Sequence, residues 1–277
     1  MRSVKMFASM IKSIFFKSVM QWRFALAILV MLIFANDRVQ VLIMDINAVG
    51  LESVHWLEPA ASMFTQTLSG FATIAILIWL CDAPFFNQNE MMVVHRTGRW
   101  NWILGRIAYA LMGTGAVLAV QSIFITLRAL PYLGGGELSE IFYYAAAVMP
   151  QPLPPVWAAG MGFLLNWMST SIFVLLMFAI NMRYSQGIGL VVAVMTWGMD
   201  VLFDWNFGYE FAFLSPTTMK SVLNLSGKYL ADDVLPSMTE AFLIMGGAIA
   251  LLIAIILLLT PGYPFPFVKS RQGRTTD

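Results

Sequence analysis

The side chains best suited to recognising another molecule are concentrated between residues 82 and 102. This stretch, called the connector below, reads DAPFFNQNEMMVVHRTGRWNW and separates two long apolar runs. It combines apolar side chains, which can enter a groove on a partner, with charged side chains that can pair across an interface. The residues expected at such an interface are Phe86, Asn89, Glu90, Met91, Val94, Arg96, Arg99 and Trp100.

The connector is predicted to form a short helix over residues 87–100. Glu90, Met91 and Val94 would then fall within about one helical turn of each other. A simpler explanation of the cations is that Arg96 and Arg99, together with Arg106, only hold the chain's orientation and bind lipid head groups. The residues by themselves support the two explanations equally.

Motifs for catalysis and for nucleotide hydrolysis are missing from the sequence. Gly227-Lys228 is followed by Tyr229, and Val222 stands where a P-loop needs its first glycine. Neither H-E-x-x-H nor G-x-S-x-G occurs, and the single Cys81 cannot form an internal disulfide. We therefore expect no catalytic, cofactor-binding or metal-ligating residue, and any free energy for work would come from a separate subunit.

Composition indicates the environment of the chain. Of 277 residues, 59% are apolar and 11% are charged, whereas a soluble domain has about 25% charged residues. The net charge of +1 offers no electrostatic basis for binding nucleic acid. These values predict an all-α polytopic membrane protein whose main contact is the lipid bilayer.

Six transmembrane helices are predicted in a single transmembrane domain. Each needs about 20 apolar residues, and they are expected at about residues 20–41, 61–80, 102–126, 156–180, 187–203 and 239–260. Residues 1–19 alternate basic and apolar side chains at helical spacing, which is typical of an interfacial helix; a solvated N-terminus is the alternative. Residues 261–277 form a basic tail. Ser215-Pro216 predicts the start of a short helix before the sixth span.

The positions of Lys and Arg predict the orientation of these spans. If the N-terminus is cytoplasmic, the cations inside are Arg2, Lys5, Lys12, Lys17, Arg23, Arg96, Arg99, Arg106, Arg183, Lys269, Arg271 and Arg274. Those outside are Arg38, Arg128, Lys220 and Lys228. The positive-inside rule therefore predicts that both termini are cytoplasmic.

Small and polar side chains within the spans predict faces that pack against other helices. Whether these faces line a path or only pack is left open by the sequence. No Asp, Glu or Lys stands at the middle of a span, although ion-driven transporters usually keep one there. The predicted interior residues are Thr65, Ser69, Thr73, Asn166, Thr170, Gly246 and Ala250.

These features together resemble the ABC-2 type permease family. The resemblance covers essentially the whole chain, and its most specific part is the connector, of the form D-x-P-F…E…H-R-T-G-R-x-x-W. It implies that residues near 87–100 form a coupling helix that contacts a nucleotide-binding ATPase subunit. It also implies a dimer of permease chains, with ATP and Mg bound by the ATPase rather than by this chain.

The sequence therefore predicts the permease subunit of an ATP-driven transporter, with export as the direction and a prokaryotic plasma membrane as the location. The lack of charge within the spans favours lipid-like, peptide or drug-like cargo over small ions. The alternative is a non-transporting assembly or sensor component that uses the same connector to hold a cytoplasmic partner.

Overall fold

The structure, a computed structural model, describes residues 21–63, 70–84, 94, 98–143, 154–184, 186–207, 213–225 and 236–262. The predicted interfacial helix over 1–19 and nearly all of the basic tail lie outside these ranges. The α-helices are α1 (Trp22–Val49), α2 (Glu58–Met63), α3 (Gly70–Leu80), α4 (Arg99–Ala129), α5 (Glu140–Tyr143), α6 (Pro155–Arg183), α7 (Gln186–Phe207), α8 (Pro216–Met219), α9 (Val222–Leu225) and α10 (Met238–Leu259). Short 3-10 turns follow α4 and α10, at Leu130–Tyr132 and Thr260–Gly262.

Four of these helices are long and apolar enough to cross a membrane. These helices are α1, α4, α6 and α10. Counted with the 3-10 turns that follow α4 and α10, they contain 28, 34, 29 and 25 residues. At 1.5 Å per residue each exceeds the roughly 30 Å hydrocarbon core of a bilayer. The apolar parts of α3 and α7 are shorter, at Phe71–Leu80 and Gly187–Leu202. The predicted all-α class is confirmed for the part of the chain that is described.

Helix α1 continues well past the predicted end of the first span at residue 41. Its buried side chains follow one helical face through the polar residues Asp37 and Arg38, so the interruption in hydropathy does not interrupt the packing. The helix ends where Gly50 adopts a left-handed conformation, with φ of 74°, that other residues rarely take. The buried face consists of Ala27, Met31, Ala35, Val39, Leu42 and Ile46.

Helix α6 occupies the centre of the bundle. It packs against α3, α4, α7 and α10, and 72% of its most apolar stretch is buried, compared with 11% for α10. The main core joins α6 to α1, α3 and α4 through large side chains that include Trp79, Ile103 and Phe178. Helix α6 therefore forms the centre on one side of the bundle, while α1 packs directly against α3 and α4.

The long helices alternate in direction, because the same ends meet. The start of α1, the end of α3 and the end of α6 are joined by the contacts of Arg23 and Asn181, and the start of α4 meets the end of α10. At the opposite end, Arg128 of α4 donates to Asn36 of α1 over 3.0 Å. There β1 (Val54–His55) also pairs in parallel with β2 (Leu133–Gly134). We call the end of the bundle where Arg23, Asn181 and Arg99 make their contacts the connector end.

Candidate docking site at the connector end

The connector leaves α3 through a turn, Cys81–Pro84, that helix α6 holds in place. The side chain of Asn181, near the end of α6, donates from Nδ2 to the carbonyl oxygens of Cys81 and Ala83 over 2.9 and 2.8 Å. Asn181 is buried, so these bonds form away from water. They satisfy carbonyl groups at a helix end that would otherwise lack partners. We call Cys81–Pro84 the root turn.

Helix α1 contacts the same root turn through Arg23. Its Nη1 lies 2.5 Å from Asp82 Oδ1 and donates to Cys81 Sγ over 3.2 Å. Burial raises the pKa of the Cys81 thiol, with the neighbouring Asp82 acting in the same direction, so Cys81 stays neutral. The ion pair is about one-third exposed on each side, and such pairs contribute only about 0.2–1 kcal/mol. Its effect is therefore to position the turn more than to stabilise the fold.

Helix α7 approaches Asn181 so closely that only glycine fits at residue 189. A Cβ atom built on Gly189 would lie closer to Asn181 Oδ1 than any contact allows, and 2.7 Å from the carbonyl oxygen of Met177. The start of α7 thus packs directly on the side chain that holds the root turn. Four helices, α1, α3, α6 and α7, meet within this small group of residues.

The far side of the connector is anchored by Val94 and Trp102. Gly98 N donates to Val94 O over 2.9 Å, and Trp102 N donates to Gly98 O over 3.1 Å. Trp102 is buried, and the Arg106 guanidinium lies 5.4 Å from its ring centroid, within the range of a cation–π contact. Val94 is half-buried against the main core. Its side chain therefore packs partly on this protein, and its predicted contact with a partner stays a prediction.

Two of the predicted interface residues are exposed at the connector end. Trp100 is 53% exposed, and Arg99 is exposed while its Nη1 donates to the carbonyl oxygen of Pro261 over 3.4 Å. A large aromatic side chain beside a guanidinium is well suited to contact a protein surface. The other predicted interface residues lie outside the described ranges: Phe86, Asn89, Glu90, Met91 and Arg96.

Three of the predicted interior residues form a buried polar group between α3 and α6. The hydroxyl oxygens of Thr73 and Thr170 are 3.2 Å apart, and Thr170 donates to Asn166 Oδ1 over 3.4 Å. Thr65 and Ser69 lie outside the described residues.

The predicted stripe on α10 has a different position. Gly246 is half-buried, and a Cβ there would lie 3.7 Å from Met168 Cε, whereas Ala250 is exposed. Within this chain, α10 instead packs through Met245, Ile249, Leu252 and Ile256.

The residues that hold the root turn were not identified from the sequence. The charge pattern placed Arg23 only among the cytoplasmic cations, and no sequence pattern singled out Asn181. Asn181 is separated from its two acceptors by 100 and 98 residues, so no local spacing indicates the contact. The one available signal is an amide side chain at the end of a long apolar helix, where it needs a partner.

Two buried carboxylates lie at the opposite end of the bundle. Glu58 of α2 accepts from Ser139 N over 2.8 Å and from the Ser139 hydroxyl. Burial raises the pKa of Glu58, although the bonds from Ser139 oppose the shift. Asp200 of α7 accepts from Thr217 N over 2.9 Å and from the Thr217 hydroxyl. Glu58 therefore joins the short helix α2 to the segment before α5, and Asp200 joins α8 to the long helix α7.

Comparisons of this chain with protein-family models, with curated proteins and with solved structures found no match. Within the described residues, no group of three or more His, Cys, Asp or Glu side chains is placed to hold a metal ion. The fold itself defines the class: an α-helical bundle with four helices that are long and apolar enough to cross a membrane.

Proposed function

We propose that this protein is the membrane-spanning permease subunit of an ATP-driven transporter of the ABC-2 type. It crosses the plasma membrane six times, with both termini in the cytoplasm, and works as a dimer with two ATPase subunits. A single observation supports this most strongly: the connector joins the bundle through residues of four helices, while its own residues Arg99 and Trp100 are exposed. A partner bound to the connector would therefore act on the whole bundle.

The arrangement of helix ends supports six spans. The long helices and the shorter α3 and α7 alternate in direction along the chain. Six crossings therefore require only that α3 and α7, together with the segments next to them, extend across the bilayer. Exposed aromatic side chains stand at both ends, as expected where helices meet a bilayer interface. They are Trp22, Trp100 and Tyr184 at the connector end, and Trp56 and Trp157 at the opposite end.

Orientation follows from the cations. Arg23, Arg99 and Arg183 lie at the connector end, which is therefore the cytoplasmic end under the positive-inside rule. Export is the proposed direction because the sequence resembles exporters. A lipid-like, peptide or drug-like substrate suits the uncharged polar group that Thr73, Thr170 and Asn166 form between α3 and α6.

The docking role of Trp100 can be tested by substitution to alanine. Loss of a buried interface anchor costs about 2 kcal/mol or more, which weakens the affinity for the ATPase about 30-fold. Trp56→Ala is a matched control, because Trp56 is 51% exposed at the opposite end. The measurement is the dissociation constant of the ATPase for each purified variant. Val94→Asp is unsuitable, because a carboxylate against the main core would disturb the bundle itself.

Three outcomes are distinguished by this experiment. Weaker ATPase binding by Trp100→Ala alone supports the proposal. Equal binding by Trp100→Ala and Trp56→Ala shows that the connector end is not the docking surface. If the unmodified protein binds a cytoplasmic partner that lacks ATPase activity, the protein is instead an assembly or sensor component.

A further inference from the structure

We propose that Asn181 is a positioning residue that transmits movement of the connector to helices α6 and α7. The inference rests on the proposed function, because it concerns how an ATPase bound to the connector would act on the spans. It concerns residues outside the connector that make no predicted contact with the partner. Its observations are two hydrogen bonds, one close helix approach and the burial of the group.

The first observation is that the two bonds from Asn181 leave the root turn little freedom to move alone. One amide group donates to the carbonyl oxygens of both Cys81 and Ala83, at 2.9 and 2.8 Å. Two bonds from one planar group fix direction as well as distance. Because the site is buried, water cannot readily replace either bond. A displacement of the root turn therefore either breaks both bonds or moves the end of α6.

The second observation is that the same side chain contacts α7. Gly189 is buried, and the space that its missing Cβ would need is occupied by Asn181 Oδ1 and Cγ and by the Met177 carbonyl oxygen. Only two residues separate the end of α6 at Arg183 from the start of α7 at Gln186, so these helix ends move together. Asn181 thus stands between the root turn on one side and α7 on the other.

The third observation is that the Arg23 contact with the root turn is a partly exposed ion pair, whereas the Asn181 contact is a buried pair of hydrogen bonds. The Arg23–Asp82 ion pair is partly exposed, and water and ions weaken pairs of that sort. Both contacts reach the root turn, but the buried amide is the more rigid connection. We therefore assign transmission to Asn181 and Gly189, and assign to Arg23 only the placement of α1 beside the turn.

The experiment measures movement of α7 in the complex with the ATPase. In a Cys81→Ala chain, which keeps the carbonyl group that accepts from Asn181, spin labels are attached at Ile123→Cys on α4 and Met199→Cys on α7. Both positions are exposed. Pulsed EPR gives the distance between the labels without nucleotide and after trapping with ADP and vanadate. Trapping is expected to shift this distance in the parent complex.

Asn181→Ala is expected to keep the ATPase bound and active while the ratio of shifted to unshifted molecules falls about fivefold or more. Asn181→Leu, which fills a similar volume without an amide, should behave in the same way. Asn181→Gln retains the amide and should recover part of the shift. A residue that only stabilised the fold would change protein yield and ATPase binding, and would not separate ATP hydrolysis from helix movement.

A glycine pair on α7 provides a second test that does not alter Asn181. Gly189→Ala forces the Asn181 side chain to move and should reduce the shift, whereas Gly187→Ala has open space and should leave it unchanged. Equal effects of the two glycine substitutions would overturn the inference. A full shift in both Asn181→Ala and Gly189→Ala would overturn it while leaving the proposed function standing. A parent complex without bound ATPase, or without any shift, would overturn both.

Discussion

At the scale of single residues, the buried amide of Asn181 and the buried carboxylate of Glu58 show how polar groups are used in this apolar bundle. Each makes at least two hydrogen bonds, and each joins segments that are distant in sequence. In surroundings that lack water, a polar group without a partner costs about 1–3 kcal/mol, so such groups select one arrangement of the chain. Other buried polar groups lie within the helices, such as Asn166 and Thr170 of α6.

Glu58 is expected to give the protein a pH-dependent stability. Its pKa is raised from the ordinary value of 4.5, so the folded protein holds this proton more tightly than the unfolded chain. Stability contributed by the protonated group is present at low pH and is lost as the pH rises through the raised pKa. Glu58→Gln should remove this loss, and the measurement is the thermal unfolding midpoint against pH in detergent.

The exposed acid Glu137 provides the matched control for this experiment. Glu137→Gln should leave the pH profile unchanged. If Glu58→Gln and the unmodified protein lose stability equally over the same pH range, Glu58 is not the group responsible.

At the scale of elements, short helices are held on the bundle by single polar contacts. The predicted helix after Ser215 is confirmed as α8, and Ser215 accepts from Thr218 N as its N-cap. A helix of four residues is not stable alone, so α8 depends on its contacts with α6 and α7. Asp200 of α7 is buried and accepts from Thr217 N at the start of this helix.

Thr217→Val is expected to destabilise the protein by about 1–3 kcal/mol, because it removes one donor from a buried carboxylate at nearly constant volume. Thr196→Val is the control, since Thr196 is exposed on α7 and donates only to its own helix at Val192 O. Its effect should stay within about 0.5 kcal/mol. The measurement is the free energy of unfolding of the two variants in detergent. Equal values would show that the contact between Thr217 and Asp200 does not hold α8.

At the scale of the whole molecule, the alternating helix directions place the contacts of Arg23, Asn181 and Arg99 at one end and those of Glu58 and Asp200 at the other. The connector end is rich in cations and the opposite end holds the buried acids. The cations at the connector end are the signal from which the positive-inside rule predicts that this end is cytoplasmic.

The orientation of the molecule can be measured by labelling introduced cysteines in a Cys81→Ala background. Glu137→Cys, at the opposite end, should react with a membrane-impermeant maleimide in intact cells. Tyr184→Cys, which is exposed at the connector end, should react only after permeabilisation. The reverse pattern would place the connector outside the cell and remove the basis for an ATPase partner.

The sequence by itself determined the all-α class and the approximate positions of the long helices, although α1 continues to Val49. These properties follow from composition and from hydrogen bonding within each helix, which are local. The start of α8 at Pro216 is an example, because the Ser215 cap and the proline mark it locally, although the helix depends on α6 and α7 for its stability.

Only the tertiary structure decided which faces are buried and which distant residues meet. On α10 both the packed face and the exposed face are apolar, so Gly246 and Ala250 could not be distinguished from Met245 and Ile256 by pattern. Val94 shows the same ambiguity, because an apolar side chain can contact a partner or pack against the protein's own core. The contact between Asn181 and the root turn depends on the packing of α3, α6 and α7, because lipid tails are as apolar as leucine and give helix faces no signature of their own.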